Sequence, residues 1–438
     1  MQIMQMKLSM MAAALAACVS ASAVELLPKQ AGDLEPVAVA AAKPVQQAAK
    51  AGAPGQSREP VAMSWASSDA GMAAAMPHEA ESRESYVIVT GAELAKGVPL
   101  NTTVPRAVVR VQALDTSSPR SNLAIHPQSM TVIDKAGRAH GPAEAMESLV
   151  TDDKLAKADM PFAPGTSAFR LHQDMGAGQF KLRADNLGEN ERFLINVVEP
   201  DSPVSLTMQA GAAAYLHGQQ LSLTSELRSK DGSKSVFSKL EGYVMSPAGR
   251  RFPLTFKNGA GGRMTAQLAL DADEELAPGL WEVHAHGQGK AKQGDVMRSL
   301  RLAFPVAMPT AKLDRKVALA EHAGGIAVNF GVEAAQAGRY EVRGVLYGTV
   351  QGVLKPIGVA HAAQWLEPGS GTIAMTFAPE LRAAATGPYE IRELFLLDQG
   401  RLGVLQRQQR AVVIDERELA RVSPRPEKLA TAAPQRVK

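Results

Sequence analysis

Short apolar runs separated by turn residues recur along most of this 438-residue chain, and they restrict its fold more than any other feature. Tight-turn sequences such as Ser246-Pro-Ala-Gly249 and Ala277-Pro-Gly279 lie between the runs. In such turns proline presets φ and glycine supplies a positive φ. Further along, Ile326, Val328 and Phe330 alternate with small or polar residues, which is the period of a strand with one buried face. These patterns predict a mainly β protein.

Proline-rich boundaries divide the β-rich part into three modules. Two prolines in the segment Glu199-Pro-Asp-Ser-Pro203 interrupt any strand ladder, and a second boundary follows at Met308-Pro309. In the first module, Pro142 begins a segment with Met146, Leu149 and Val150 at helical spacing. We therefore expect tandem immunoglobulin-like β-sandwiches, with one or two short helices in the first module. The predicted domains are a β-rich domain with a helical insertion over 86–200, an Ig-like sandwich over 201–308 and another over 309–415.

The N-terminus has the order of a signal peptide over residues 1–23. A short segment with the positive charge of Lys7 precedes an apolar stretch, and Ala21 and Ala23 form an A-x-A cleavage site before Val24. The apolar stretch has about half of the roughly 20 residues that a membrane-spanning helix needs. We therefore expect an exported protein, periplasmic or extracellular, without a transmembrane segment.

A lipoprotein is the alternative at this end of the chain. Leu15-Ala16-Ala17-Cys18 resembles a lipobox, in which Cys18 is the lipidated first residue, and Cys18 is the chain's single cysteine. The small residues at 21 and 23 favour ordinary cleavage after Ala23. Under that interpretation the mature chain has no thiol and its cores alone hold it together.

Two segments have the composition of disordered chain. Residues 24–85 are rich in Ala, Pro, Gln and Ser, which predicts a flexible linker. Residues 416–438 form a basic tail that we also expect to be disordered. Its six basic and three acidic residues account for the whole formal charge of +3, so the folded part is close to neutral. We therefore expect no nucleic-acid partner.

Several motifs resemble those of a known family. They are Leu280-Trp-Glu-Val283 after Pro278-Gly279, the run from Tyr340 to Tyr347, Trp365-Leu-Glu-Pro-Gly369, and Pro388 to Leu394 followed by Asp398-Gln-Gly400. They are similar to an uncharacterised family of exported proteobacterial proteins, a domain of unknown function built from tandem Ig-like domains. The resemblance covers about 86–415 and implies fold and export. It supplies no catalytic residues.

One strand carries the clearest candidate site. Glu282, His284 and His286 share a face if the strand alternates, and such side chains bind zinc or copper. The competing interpretation is a solvated strand face with Trp281 beneath it. Hydrolase, phosphate-loop and dinucleotide motifs are absent from the sequence, so we expect no cofactor and assign no catalytic residue.

Weaker candidates lie elsewhere. An acidic loop before Pro278 suits calcium but is equally an ordinary surface loop, and Met72, Met76 and His78 suit copper but lie in low-complexity sequence. Of the three tryptophans, Trp65 lies in the linker, whereas Trp281 and Trp365 have the pattern of core residues. The acidic loop residues are Asp271, Asp273, Glu274 and Glu275.

These observations favour a non-catalytic, exported Ig-like protein that presents interaction surfaces at the cell envelope or outside the cell. The partner, a protein or another cell-surface component, is not specified by the sequence. A secreted hydrolase with its site at a domain junction is the alternative, and a periplasmic metal-binding protein is the third hypothesis. Converging His, Asp or Ser side chains in a pocket would favour the enzyme.

Overall fold

The computed structural model describes residues 22–41, 57–66, 78–114, 125–157, 163, 165–270 and 279–422. The chain is mainly β, which confirms the predicted class, and its sheets are mostly antiparallel. It divides into two compact units. The terminal unit comprises Met1–Met72 and Met308–Lys438, and the central unit comprises Ala73–Ala307.

The strands and helices follow one another in this order. The N-terminal segment contains β1 (Ser22–Glu25) and β2 (Val61–Ala66). The central unit contains β3 (Glu79–Ser82), β4 (Glu84–Thr90), α1 (Gly91–Lys96), β5 (Val98–Asn101), β6 (Val108–Ala113), β7 (Met130–Ile133), β8 (Ala139–His140), α2 (Pro142–Ala145), β9 (Met146–Val150), α3 (Asp152–Lys157), β10 (Thr166–Leu171), β11 (Gln179–Ala184), β12 (Arg192–Val198), β13 (Val204–Ala210), β14 (Tyr215–Leu216), β15 (Gln220–Ser229), β16 (Val236–Met245), β17 (Arg251–Leu254), β18 (Lys257–Asn258), β19 (Met264–Ala269), β20 (Trp281–Ala291), β21 (Gly294–Phe304) and β22 (Val306–Ala307). The C-terminal part contains β23 (Ala311–His322), β24 (Gly325–Ala334), β25 (Gly338–Val350), β26 (Val353–Leu366), β27 (Gly369–Phe377), α4 (Pro379–Ala383), β28 (Thr386–Asp398), β29 (Gly403–Ile414) and α5 (Glu416–Val422).

A nine-stranded sheet runs through the central unit. Its strand order is β17-β16-β20-β21-β4-β12-β6-β10-β9. The two predicted modules meet inside this sheet, where Ser299 of β21 pairs with Glu84 of β4. A four-stranded sheet, β5-β11-β7-β8, and a five-stranded sheet, β18-β19-β15-β13-β3, complete the unit with a short β14-β22 pair.

The central unit has two hydrophobic cores. One contains buried residues between Val89 and Val197, and the other contains buried residues between Leu206 and Phe304. The predicted modules over 86–200 and 201–308 therefore have separate cores, yet they share one continuous sheet within one compact unit. Arg298, which is buried, lies on the core side of β21 beside this junction.

The predicted helix after Pro142 is shorter than expected. The helix α2 ends at Ala145, and Met146–Val150 form the strand β9. Met146 pairs with Leu171 of β10, so the ladder of the neighbouring strand overrides the helical spacing of the apolar residues.

In the terminal unit, the N-terminal segment supplies an edge strand to each of two sheets. The sheet orders are β1-β23-β24-β27 and β2-β26-β25-β28-β29. The predicted disordered linker over 24–85 is thus wrong where the structure describes it, because β1, β2, β3 and the start of β4 lie in that range. Residues 42–56 and 67–77 lie outside the described residues.

Hydrogen bonds and burial explain this correction. Val24, Leu26 and Leu34 are buried, and the main chain of Leu34 exchanges two hydrogen bonds with Arg407 of β29. Asp33 accepts the Gln409 N–H at 2.8 Å. A few well-spaced apolar side chains therefore order a segment whose overall composition is that of a linker.

The tail also differs from its prediction over its first residues. The helix α5 begins at Glu416 and buries Leu419 and Val422, and residues 423–438 lie outside the described part of the chain. Residues 1–21 of the predicted signal peptide over 1–23, with Cys18, also lie outside it, whereas Ser22 and Ala23 lie in β1. No helix in the described ranges is long and apolar enough to cross a membrane.

Candidate functional site

The open face of the nine-stranded sheet, which is the face turned away from the cores, carries the candidate residues. On β20, Val283 and Ala285 are buried in the second core. Glu282, His284 and His286 alternate with them and therefore lie on the open face. The period of the strand thus places the three predicted side chains on one side of the sheet.

Neighbouring strands add aromatic and cationic side chains beside His284. Tyr243 of β16 and Arg301 of β21 are its directly paired neighbours across the sheet. The rings of Tyr243 and His284 stack, with centroids 4.9 Å apart and planes 8° from parallel. The guanidinium carbon of Arg251 lies 4.8 Å from the centroid of the Tyr243 ring.

Tyr86 of β4 also belongs to this group. The strand β4 lies next to β21 in the sheet, and Tyr86 comes from the first predicted module. Its hydroxyl lies 3.2 Å from Nδ1 of His284, and its ring meets the His286 ring edge-on with centroids 4.8 Å apart. The guanidinium carbon of Arg301 lies 6.0 Å from the Tyr86 ring centroid. We call this group the aromatic–histidine cluster; its members are Tyr86, Tyr243, Arg251, Glu282, His284, His286, Ser299 and Arg301.

A hydrogen-bonded chain connects three members of the cluster. Nε2 of His284 lies 2.9 Å from Oε2 of Glu282, while Nδ1 faces the Tyr86 hydroxyl. Burial lowers the pKa of His284, although Glu282 opposes this effect, and burial raises the pKa of Tyr86. A neutral His284 that donates to Glu282 and accepts from Tyr86 satisfies all three groups. An activated tyrosine nucleophile would need a lowered pKa, which is the opposite of the direction at Tyr86.

Ser299 and His286 form a second hydrogen-bonded pair, with Oγ and Nδ1 3.0 Å apart. Ser299 is only 2% exposed, and its Oγ also accepts the Tyr86 N–H at 3.0 Å. Burial lowers the pKa of His286, and the neighbouring His284 lowers it further. Because its hydroxyl is covered and bonded to β4, Ser299 joins the two halves of the sheet and is inaccessible to a substrate.

The metal site predicted at Glu282, His284 and His286 is not assembled as a converging set of ligands. Both nitrogens of His284 are engaged, and Nδ1 of His286 faces Ser299. Across the described ranges of the chain, no group of three or more His, Cys, Asp or Glu side chains is placed to hold a metal ion.

The cluster exposes two cationic groups without acidic partners. Arg251 and Arg301 are both exposed. Within the described part of the chain, no carboxylate lies within ion-pair distance of either guanidinium group. Each group lies instead over a tyrosine ring, within the range of a cation–π contact.

A different arginine lies on the core side of β21. Nη1 of Arg298 forms an ion pair with Oε2 of Glu199 at 2.8 Å, and both side chains are almost completely buried. Nη2 donates to Ser202 at 2.7 Å and to Thr103 at 3.1 Å. Burial lowers the pKa of Arg298. The segment Glu199-Pro-Asp-Ser-Pro203, which was predicted to be a domain boundary, therefore supplies Glu199 as the buried ion-pair partner of Arg298.

The remaining predicted residues are dispersed. Trp281 is 3% exposed and lies in the second core, which confirms that prediction. Trp365 is only half-buried, with Arg58 stacked on its ring, so its prediction as a core residue is wrong. Trp65 is 51% exposed on β2. His78 lies 2.8 Å from the Ala303 carbonyl oxygen, whereas Met72, Met76 and the acidic loop over 271–275 lie outside the described residues.

Sequence reasoning missed Tyr86, Tyr243, Arg251 and Arg301. The alternation of Arg301 with buried Leu300 and Leu302 is a signal that the side chain faces away from the core. Its proximity to His284 depends on the register of the hairpin formed by β20 and β21, which alternation alone does not provide.

Comparison with known proteins gives a family and a fold. Residues 52–199 match the N-terminal domain of a domain of unknown function, DUF4785, and residues 310–415 match the C-terminal domain of the same family. Together the two ranges cover more than half of the chain. No curated protein matches it.

Solved structures include a similar protein from Legionella pneumophila, described as a DUF4785 family protein. It has a TM-score of 0.69 at 20% sequence identity, over 88% of this chain and 98% of that chain, so the likeness establishes the fold alone. Trypsin-activated alpha-2-macroglobulin from Escherichia coli has a TM-score of 0.21 at 13% identity, over 70% of this chain and 22% of that chain. A tandem repeat from a large adhesion protein has a TM-score of 0.18 at 15% identity, over 81% of each chain. The last two TM-scores are too low to indicate a shared fold.

Proposed function

This chain belongs to the DUF4785 family, since the models of the family's N-terminal and C-terminal domains both match it. The family is described only as having unknown function, so we propose a role from the geometry of the candidate site. The protein is an exported, non-catalytic, multi-domain Ig-like protein that binds a partner at the cell envelope or outside the cell. Its interaction surface is the open face of the nine-stranded sheet around the aromatic–histidine cluster.

One observation carries this proposal: Arg251 and Arg301 are exposed, lie over tyrosine rings at 4.8 and 6.0 Å from the ring centroids, and are unpaired with acids among the described residues. Tyrosine and arginine are the side chains that binding surfaces favour. Contact with a ring restricts the rotamers of an exposed arginine, so binding costs less side-chain entropy.

The secreted-hydrolase alternative has one supporting feature, the chain from Glu282 through His284 to Tyr86. Burial raises the pKa of Tyr86, which opposes nucleophile activation. Ser299, the other hydroxyl beside a histidine, is covered. These features favour binding over catalysis.

Export is tested by fractionating cells that produce the full chain and measuring the intact mass of the mature protein. Cleavage after Ala23 gives an N-terminus at Val24 in the periplasm or medium. A diacylated Cys18 in the membrane fraction would replace this proposal with a lipid-anchored protein. Retention of the uncleaved chain in the cytoplasm would overturn export.

Binding is tested by sedimenting the purified mature protein with isolated envelope fractions of the source bacterium. We expect retention by wild type and by Tyr86→Phe, because a surface does not need the tyrosine hydroxyl as a reactive group. Tyr243→Ala combined with Arg251→Ala should abolish retention. Arg343→Ala is the matched control, because Arg343 is also exposed and lies 4.4 Å from the Phe395 ring centroid, in the terminal unit. Equal retention of all variants would contradict the proposal.

A further inference from the structure

We propose that the ligand of the aromatic–histidine cluster is an acidic polysaccharide, a polymer of sugars that carry carboxylate groups, lying across the strands of the open face. This inference rests on the proposed binding function and names its ligand class. It follows from the charge, the spacing and the chemistry of the exposed side chains.

The charge of the cluster favours an anion. Arg251 and Arg301 have no acidic partner among the described residues, whereas Glu282 is bonded to His284. An arginine fork matches the geometry of a carboxylate and binds it with two parallel hydrogen bonds. Both forks are held against rings rather than left to sample many rotamers.

The spacing of the arginines favours an extended ligand. β17 and β21 are separated by three strand steps in the sheet order, which is roughly 14 Å at about 4.8 Å a step. A single carboxylate cannot bridge that distance.

The chemistry between the arginines favours sugars over peptide. β16 and β20, which lie between the arginine-bearing strands, are interior strands paired with a neighbour on each side, so a peptide has no edge to extend between the arginines. The face between the arginines presents the Tyr243 hydroxyl and the Glu282 carboxylate, which offer hydrogen bonds to hydroxyl groups but little apolar surface, while His284 is buried with both ring nitrogens engaged. Among the described residues of β4, Ile88 is the exposed large apolar side chain on the same face as Tyr86, and one such side chain does not form the apolar core of a protein interface.

The overall charge disfavours nucleic acid. The formal charge of the chain is +3, and the excess lies in the tail after Asp415. Nucleic-acid binding draws most of its affinity from many phosphate contacts along a basic surface, which a near-neutral folded part lacks.

The test measures binding of the purified mature chain to polygalacturonate by isothermal titration, with dextran as the neutral polymer, polyglutamate as the acidic peptide and duplex DNA as the nucleic acid. We expect binding to polygalacturonate alone. Arg251→Gln and Arg301→Gln should each weaken it about tenfold, because each removes one charge-assisted contact. Arg343→Gln should bind as wild type does.

Each outcome separates the ligand class from the proposed function. Preference for polyglutamate or DNA, or no binding to polygalacturonate, overturns the polysaccharide inference. If envelope retention still depends on Tyr243 and Arg251, the proposed function stands and only the ligand class is wrong. If envelope retention is also absent, both fail. Equal weakening by Arg343→Gln would indicate general charge attraction and would overturn the assignment to the cluster.

Discussion

Arg298 and Arg301 lie three residues apart on β21 but on opposite sides of the same sheet. Arg298 is buried, paired with Glu199 and bonded to Ser202 and Thr103. Arg301 is exposed, lies against Tyr86 and has no carboxylate partner among the described residues. The core side thus uses arginine to close a junction within the protein, and the open side leaves an equivalent group exposed to solvent.

The difference shows how environment separates structural from binding residues of one type. A buried charge is costly unless it is paired, so removing one partner of the pair is strongly destabilising. An exposed guanidinium is solvated in the folded and unfolded states, so its removal costs little stability. Under the proposed function, a substitution of an exposed arginine on the open face should therefore leave the free energy of unfolding unchanged and weaken ligand binding.

The largest predicted effect is on the core side. Arg298→Met should lower the free energy of unfolding of the central unit by about 3–5 kcal/mol, because it leaves Glu199 buried and unpaired. Urea unfolding monitored by Trp281 fluorescence, in a Trp65→Phe, Trp365→Phe background, reports on that unit alone because Trp281 lies in its second core.

Two controls sharpen this prediction. Arg298→Met combined with Glu199→Gln should recover most of the loss, because no unpaired charge remains and the amide oxygen still accepts the main-chain N–H groups of Thr103 and Val104. Arg301→Met should change the free energy of unfolding by no more than about 0.5 kcal/mol. If Arg301→Met cost as much as Arg298→Met, the distinction between the two sides would be wrong.

The same contrast between buried and exposed side chains applies to the N-terminal strands. Leu26, just after β1, is 4% exposed, whereas Trp65 on β2 is 51% exposed and meets His361 edge-on. Leu26→Ala should cost the terminal unit about 2–5 kcal/mol. Trp65→Ala should cost about 1 kcal/mol, the size of an aromatic edge contact. Unfolding followed by Trp365 fluorescence in a Trp281→Phe background measures the loss of unfolding free energy in both variants. Equal losses would contradict the conclusion that buried side chains of the N-terminal segment stabilise the terminal unit.

A smaller, pH-dependent effect belongs to the open side. Burial lowers the folded-state pKa of His284 and His286 below their ordinary value of 6.5. Below pH 6.5 the unfolded chain therefore binds protons that the folded chain does not, and stability falls as the pH falls. The loss is at most about 1.4 kcal/mol per pH unit for each histidine. The charged and titratable groups that face the pair are Tyr86, Glu241, Tyr243, Arg251, Glu282 and Arg301.

Unfolding measured between pH 7.5 and pH 5 tests this effect. The variant His284→Gln with His286→Gln keeps polar side chains but has no imidazole, so its stability should fall less steeply on acidification than that of wild type. Carboxylates elsewhere contribute to both proteins and cancel in the difference. Parallel profiles would contradict the lowered pKa values.

Much of the fold was predictable from local pattern. Alternation predicted the strand containing Ile326, Val328 and Phe330, because a half-buried strand repeats every two residues. The continuity of the central sheet was not predictable, because it depends on Ser299 pairing with Glu84 across 215 positions of sequence. The N-terminal strands were not predicted, because the average composition of the segment hides the few apolar residues Val24, Leu26 and Leu34. The burial of these residues depends on the sheets formed by the C-terminal part of the chain.

The site was predictable only along its own strand. Period two places Glu282, His284 and His286 together, and it correctly puts Trp281 on the other face. The partners Tyr86 and Tyr243 come from other strands, so their approach depends on register and on the order of strands in the sheet. The sequence left two hypotheses for these three side chains, a metal site and a solvated strand face with Trp281 beneath it; in the structure His284 is hydrogen-bonded to Glu282 and His286 to Ser299.

The most direct test of the binding account is a paired measurement on one variant, Arg251→Gln with Arg301→Gln. Its free energy of unfolding and its retention on envelope fractions should be measured beside wild type. We predict a free energy of unfolding within about 0.5 kcal/mol of wild type and retention lowered at least about tenfold. Retention equal to that of wild type in a fully folded variant would contradict the assignment of the open face as the binding surface.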